Sequence, residues 1–263
     1  IAAALVSAKL SVKLAHVEAG LRSFDNSMPE EINRIVTDRL SDYLFVSEDA
    51  GLVNLENEGV PKGKVFFSGN IMIDSLISNL ETSKNSKILE RLYLEPNKYI
   101  TLTMHRPSNV DNPQMLKKLM ECIAKISLKV PVVFPCHPRT GKRIEELGLL
   151  PGSSDGHLKI VEPLGYLDFL KLQSASQIVI TDSGGVQEET TCLGIPCITL
   201  RENTELLATV DIGSNTICGT DPHKIETTVA QLLNGNRKKW QIPPLWDGNT
   251  ANRIVDVLIK KLF

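Results

Sequence analysis

Gln177-Ile178-Val179-Ile180-Thr181-Asp182-Ser183-Gly184-Gly185-Val186-Gln187-Glu188-Glu189 is the stretch on which the reading of this chain turns. A short, mostly apolar run passes directly into Asp-Ser-Gly-Gly and then into a helix-forming segment. Such a run, without polar alternation, suits a strand buried on both faces. Small residues at the carboxyl end of a parallel strand let backbone amides approach an anion, and the helix amino terminus adds partial positive charge. Ser183 brings a hydroxyl donor. Glu188 and Glu189 fall in the first helical turn, where a carboxylate caps amides or holds sugar hydroxyls. The competing reading is structural, because any βα loop can carry a Gly-rich turn with an Asp or Ser helix cap.

Working outward, similar runs recur. Before the central stretch lie Leu14–Val17, Tyr43–Val46, Lys64–Phe67, Tyr99–Thr103, Pro131–Phe134 and Leu158–Val161; after it come Pro196–Leu200 and Asn215–Cys218. Helical patterns separate them, as in Pro113–Leu128 with Met115, Leu119, Cys122, Ile123 and Ile126 on one stripe. Strand, helix and strand in alternation predict an α/β protein with parallel sheets and right-handed crossovers. There is no short-period repeat and no low-complexity tract.

A domain boundary is expected near residues 78–97, where Ser78-Asn79 and Thr82-Ser83-Lys84-Asn85-Ser86 read as polar and turn-forming and Glu95-Pro96-Asn97 precedes a new strand. The expected organisation is 1–80 as the later part of a first Rossmann-like domain, 81–245 as a second, and 246–263 as a terminal helix packing back across the cleft. The chain opens on Ile1 within an Ala-rich helix, and the first domain offers about three strands, too few for a doubly wound sheet. The expectation is a first domain without its opening βα units, which leaves an apolar face near Leu5, Leu10, Leu14 and Val17.

Two further strand ends carry reactive side chains. Thr103-Met104-His105-Arg106-Pro107-Ser108-Asn109 places His and Arg where ligands bind in open α/β sheets, and Cys136-His137-Pro138-Arg139 repeats the pattern after the next strand. The plain alternative is a surface His-Arg pair before a proline turn. In His16-Val17-Glu18-Ala19-Gly20-Leu21-Arg22-Ser23, Glu18 ends a buried strand, a costly place for a lone carboxylate. Either it pairs with Arg22 or Arg34, or burial raises its pKa for acid–base work. Pro29-Glu30-Glu31, taken alone, reads as a helix start.

Composition excludes other classes. The 263 residues carry a formal charge of −2 and only 5% aromatics, so neither a basic footprint nor a base-stacking platform for nucleic acid is expected. No apolar run of about 18 residues predicts a membrane span. Five cysteines with no CxxC pair predict reduced thiols in a cytoplasmic setting, with neither a disulfide framework nor a metal site. There is no P-loop lysine motif and no GxGxxG, so no dinucleotide cofactor is signalled.

HVEAGLRS (16–23), PEEINR (29–34), Ser68-Gly69-Asn70, HRPSNVDN (105–112), PCHPRT (135–140), DSGGVQEE (182–189) and LRENTE (200–205), in this order, closely resemble the non-hydrolysing UDP-N-acetylglucosamine 2-epimerases over essentially the whole chain. The resemblance implies a GT-B architecture of two Rossmann-like domains, of which the first is incomplete here. It implies interconversion of UDP-GlcNAc and UDP-ManNAc by elimination and re-addition of UDP, in a homodimer with no cofactor. It gives Glu18 and Glu30 as acid–base carboxylates and His105 as a catalytic group at the diphosphate. Ser183, Gly184 and Gly185 would hold phosphate, Glu189 the ribose and Phe169 the uracil. Arg106 and His137 match a second, regulatory UDP-GlcNAc site. A GTRPE-like opening loop and a functional Asp, both typical of the family, are absent, and Leu206 stands where the family usually has Arg. A GT-B glycosyltransferase, a hydrolysing epimerase and a nucleotide-sugar-binding fragment without turnover stay open as alternatives.

Overall fold

The computed structural model describes residues 1–26, 28–150 and 157–262. The described chain divides into two compact units. Unit 1 comprises Ile1–Ser78, Glu205–Asp211 and Ile242–Phe263; unit 2 comprises Asn79–Thr204 and Ile212–Gln241.

Unit 1 is built on a parallel sheet of β1 (Ala15–Ala19), β2 (Tyr43–Val46) and β3 (Val65–Phe67), in the order β1-β2-β3. Leu44, Val46, Ala19 and Leu55 close its small core. The β1–β2 register slips between Val17 and Ala19, and the displaced residue, Glu18, has a left-handed φ of 67°. A non-glycine residue there carries strain of about 1–3 kcal/mol, the kind of outlier that clusters at functional sites. Gly20 follows with φ 82°, and a Cβ on it would stand 2.5 Å from the carbonyl oxygen of Gly51. Only glycine allows this crossing of the β1 end over the helix Asp49–Asn57. The terminal helix Thr250–Leu262 joins the same unit: Asp74 accepts hydrogen bonds from the amides of Thr250 (3.1 Å) and Ala251 (2.7 Å), capping it from another helix.

Unit 2 carries six parallel strands: β4 (Ile100–Thr103), β5 (Val132–Pro135), β6 (Leu158–Val161), β7 (Ile178–Thr181), β8 (Cys197–Thr199) and β9 (Asn215–Ile217). Their order is β6-β5-β4-β7-β8-β9, the doubly wound arrangement whose strand order reverses between β4 and β7. Ile100, Leu102, Val132, Phe134, Ile178, Ile180 and Ile198 are fully buried in or beside the main core. The helix Pro113–Ser127 covers one face. Asn112 starts it by accepting from the amides of Gln114 (3.0 Å) and Met115 (3.2 Å), with Pro at the first helical position. Leu116, Leu119, Met120, Ile123 and Ile126 then form its buried stripe.

All nine expected strands are present, with ends displaced by a residue or two. The stretch Ser78–Ser83, expected as a turn, is instead the end of the helix Ile71–Ser83. Its polar residues lie on the outer face or bond back to the helix. Ser78 donates to the Ser75 carbonyl at 3.0 Å, and buried Ser83 donates to the Leu80 carbonyl at 2.7 Å. Polar composition alone therefore does not break this helix, whose apolar stripe of Ile73, Leu76 and Leu80 continues through it. As expected, apolar side chains are exposed near the start, with Leu5 at 46% and Leu10 at 69%. Leu14 and Val17 are only half-exposed.

Gly20→Ala forces both a backbone clash and a left-handed alanine, so it is expected to destabilise the protein by about 2–4 kcal/mol. Urea unfolding of the variant checks this, and an unchanged midpoint would show that the crossing is not constrained.

Candidate functional site

In unit 2 the strand reversal sets the ends of β4 and β7 side by side, and Asp182 is the residue that joins them. Its side chain is fully buried. It accepts from the backbone amides of His105 (3.0 Å) and Arg106 (2.9 Å) and from Asn109 Nδ2 (3.0 Å), and it pairs with His105 Nδ1 at 3.1 Å. Asn109 Nδ2 also donates to the Leu200 carbonyl (3.1 Å), bringing in the end of β8. Burial pushes the Asp182 carboxyl up, but the bonds from His105, Arg106 and Asn109 outweigh it and hold it below the ordinary value. The same hydrogen bond to Asp182 raises His105, against its own partial burial. His105 thus keeps a proton more readily than a free imidazole, with its ring half-exposed.

Because Asp182 turns toward the His105 loop, it does not cap the helix Gly184–Leu193. Ser183 occupies the N-cap position and makes no side-chain cap bond. The structural alternative for Asp-Ser-Gly-Gly, a self-capped turn, therefore does not hold. Ser183 N donates to Thr181 Oγ1 (3.0 Å), which fixes the turn, and the first turn of the helix receives no cap bond from the Ser183 side chain. An uncapped helix start of this kind can receive an anion. Glu188 and Glu189 lie beyond the first helical turn expected for them, because the helix starts at Gly184; buried Glu189, one and a half turns in, accepts from Tyr166 Oη (3.0 Å) and from Gln173 Nε2. Burial raises its carboxyl, and these two donors offset part of the rise. Tyr166 and Gln173 belong to the helix Tyr166–Ser174, which also carries Phe169, packed against Val179, Val186 and Ile195. Phe169, Ser183, Gly184, Gly185 and Glu189 are thereby gathered around two neighbouring helices.

Arg106 and His137 follow the adjacent strands β4 and β5, and an ion pair from Arg139 to Asp111 (2.7 Å) ties their loops together. Arg106 Nε donates to the Asp182 carbonyl at 3.0 Å. His137 caps its own helix, its Nδ1 accepting from the Arg139 amide at 3.3 Å. Cys136 is no nucleophile for its histidine neighbour, since burial, with Glu162 nearby, pushes its thiol up to about 11.

In unit 1, Glu18 sits on the strained bulge. Burial raises its carboxyl, and His16 and Arg34 offset part of that rise. Of the two partners weighed from sequence, Arg22 is committed elsewhere, to Asp38 (2.8 Å) and Glu58 (2.7 Å). Arg34 pairs with Glu31 (3.6 Å) and Glu205 (3.7 Å). Glu30 is exposed in the first turn of the helix Pro29–Leu40. Its neighbour Glu31 is the buried one, accepting from Ser23 N, Ser23 Oγ and Phe24 N, each at 3.0 Å, and so pinning the loop after β1. Asp38, on the same helix, accepts from Gly20 N (3.0 Å) and contacts His16 Nδ1 at 2.5 Å. Sequence reading passed over Asp38, Asp182 and Glu31 as site-builders. The only available signal was an acid on an otherwise apolar or small-residue face. Leu206, considered as a replacement for a ligand-contacting Arg, is 4% exposed and packed as a core residue.

Comparison with known proteins places this geometry. The family model described as UDP-N-acetylglucosamine 2-epimerase matches residues 1–259. The chain is 44% identical to the UDP-N-acetylglucosamine 2-epimerase of Methanococcus maripaludis, over 98% of this chain and 72% of that protein. It is 40% identical to the UDP-2,3-diacetamido-2,3-dideoxy-D-glucuronate 2-epimerase of Pseudomonas aeruginosa, over 99% and 72%. The crystal structure of Methanocaldococcus jannaschii UDP-GlcNAc 2-epimerase in complex with UDP-GlcNAc and UDP superposes with a TM-score of 0.89 at 42% identity, covering 98% of this chain and 72% of that one. With parallel α/β sheets of the GT-B type and a match along nearly its whole length, the chain belongs to the UDP-N-acetylglucosamine 2-epimerase family.

Proposed function

We propose that this chain is a UDP-N-acetylglucosamine 2-epimerase that interconverts UDP-GlcNAc and UDP-ManNAc by eliminating and re-adding UDP. The observation that carries the reading is the uncapped helix start at Ser183–Gly185 beside the pair of buried Asp182 and half-exposed His105, within a chain of this family. Carbon 2 of the sugar holds a non-acidic proton, so its removal has to be coupled to breaking the C1–O bond to UDP. A carboxylate takes the C2 proton while the bonding pair leaves on the diphosphate, giving 2-acetamidoglucal and UDP. Return of a proton to the opposite face of C2, with attack of the UDP oxygen on C1, completes the inversion. The sequence is redox-neutral, so it needs no nicotinamide.

In this reading Glu18 and Glu30 exchange the proton. The half-buried, raised Glu18 is suited to holding it, and exposed Glu30 to accepting it from water. His105, which Asp182 makes a better holder of a proton than a free imidazole, stabilises the departing diphosphate, while Ser183 and the amides of Gly184 and Gly185 bind its oxygens. Glu189 takes the ribose hydroxyls, and Phe169 lies at the uracil. Arg106 and His137 form the regulatory UDP-GlcNAc site. The enzyme works as a homodimer in the cytoplasm, where nucleotide sugars are made.

A second sugar is favoured by one observation, the 40% identity to the diacetamido-glucuronate 2-epimerase. The chemistry at C1 and C2 is the same, and only the substituents at C3 and C5 differ.

Incubated in D2O with UDP-GlcNAc, the protein is expected to form UDP-ManNAc with deuterium at C2, read by proton NMR. Free ManNAc would make it a hydrolysing enzyme, and binding without exchange would make it a nucleotide-sugar-binding protein. Turnover of only the diacetamido-glucuronate sugar would reassign the substrate.

Glu189→Ala removes a charged acceptor from the nucleotide side, and UDP affinity is expected to fall by about 1–3 kcal/mol by calorimetry. Equal affinities would remove Glu189 from the site.

A further inference from the structure

Glu48 has no part in the chemistry above, yet it is among the most deeply withdrawn acids of unit 1. It follows β2, starts the helix Asp49–Asn57, and is 1% exposed. No ion pair joins it to a cation among the described residues. Its Oε1 accepts from the Ala208 amide at 3.3 Å, and the Leu207 amide also bonds to it. Its Oε2 and the neighbouring Ser47 Oγ are buried with no hydrogen-bond partner. Leu207 and Ala208 open the short helix Leu207–Asp211, which lies within the seven-residue segment Glu205–Asp211. That segment belongs to unit 1, although the residues flanking it in sequence belong to unit 2.

Polar contacts attach the segment to the rest of unit 1. At one end Glu205 pairs with Arg34 at 3.7 Å; further along, Glu48 receives the helix amides. Arg34 is one of the two groups that offset the burial of Glu18. Thr204, the preceding residue, donates to Gln187 Oε1 at 2.8 Å on the helix that starts at Gly184. Adjacent residues are thus bonded to the structures that carry the two halves of the chemistry.

We propose that Glu48 is a positioning residue whose uncharged carboxyl docks the segment Glu205–Asp211 and so sets Glu205 against Arg34 beside Glu18. The inference rests on the proposed reaction only for what this docking positions; the docking itself stands on the contacts. A carboxylate with one oxygen buried and unpartnered is costly to ionise, while a neutral carboxyl can keep its carbonyl oxygen on the two amides. The charges that face Glu48 are Asp49 on its own helix and Asp211 on the docked segment, both acidic. Burial first, and these two acids after it, push the Glu48 carboxyl up to about 7 against the two amide bonds.

The sign of the pH dependence follows. A proton binds Glu48 more tightly when the segment is docked than when the carboxyl is in water. Docking is therefore fully present below the ordinary carboxylate range and is lost as pH rises through about 7. Between roughly pH 5 and 7 the docking constant falls by about tenfold per unit.

Hydrogen exchange of residues 205–211 in the ligand-free protein, corrected for the intrinsic pH dependence of amide exchange, tests this. Wild-type protection is expected to drop at least tenfold from pH 5.5 to 7.5. Glu48→Gln, permanently neutral and of the same shape, is expected to hold protection constant over that range. Glu48→Ala is expected to lose it at both ends. A pH-independent wild type, or a Glu48→Gln protein that keeps the wild-type dependence, overturns the proposal. If either variant fails to fold, the wild-type titration alone decides. Because no turnover is read, a failed epimerase assay would sink the proposed reaction and leave this result standing.

Discussion

The hydrogen bonds that converge on the buried carboxylate of Asp182 fix the ends of β4, β7 and β8 relative to one another, and the uncapped helix start at Ser183 depends on them. Bonds to a charged acceptor contribute about 1.5–3 kcal/mol each, well above those between neutral groups. With backbone amides, an Asn side chain and an imidazole on one carboxylate, the charge remains ionised despite being withdrawn from water. The arrangement has a second effect. An Asp at that position could have capped the following helix, and by facing the His105 loop it leaves the helix amides for a ligand. The cost of burying the carboxylate and the availability of the helix start are therefore two sides of one geometry.

Unit 1 solves a similar problem with different residues. Asp38 and Glu31, two turns apart on one helix, hold the loop after β1 by its backbone amides and by Arg22, His16 and Ser23. What they hold is a strand end that carries Glu18 in a left-handed conformation. The strain at Glu18 persists because Gly20, crossing Gly51 with no room for a side chain, fixes the backbone two residues later. In each unit a buried acid orders the strand end beside it: Asp38 holds the amide of Gly20, and Asp182 holds those of His105 and Arg106.

The fold was legible because strands buried on both faces are nearly continuous apolar runs, and Val179, Ile180, Val132 and Val133 could hardly be anything else. The pairing of DSGG with HRPSN was legible through the rule that ligands gather where parallel strands reverse order. What escaped was whatever depends on contacts between distant residues. Asp182 and Ser183 were equal candidates for a helix cap until the loop from β4 was in place. Glu30 and Glu31 are adjacent and chemically alike, and only the path of Ser23 and Phe24 decides which one is buried. The return of Glu205–Asp211 to unit 1 has no local signature, since its anchor, Glu48, lies some 160 residues earlier. Ser78–Ser83 was misread because composition was weighed above the continuing apolar stripe of Ile73, Leu76 and Leu80.

The central claim is that the Asp182 charge raises the affinity of His105 for a proton beside the uncapped helix start at Ser183. Proton–carbon NMR titration of the His105 ring in wild type and in Asp182→Asn tests it directly. The account predicts a wild-type midpoint above the ordinary histidine value and a lower midpoint in the variant, whose side chain keeps the shape and loses the charge. An unshifted wild-type midpoint, or identical midpoints in the two proteins, would contradict it.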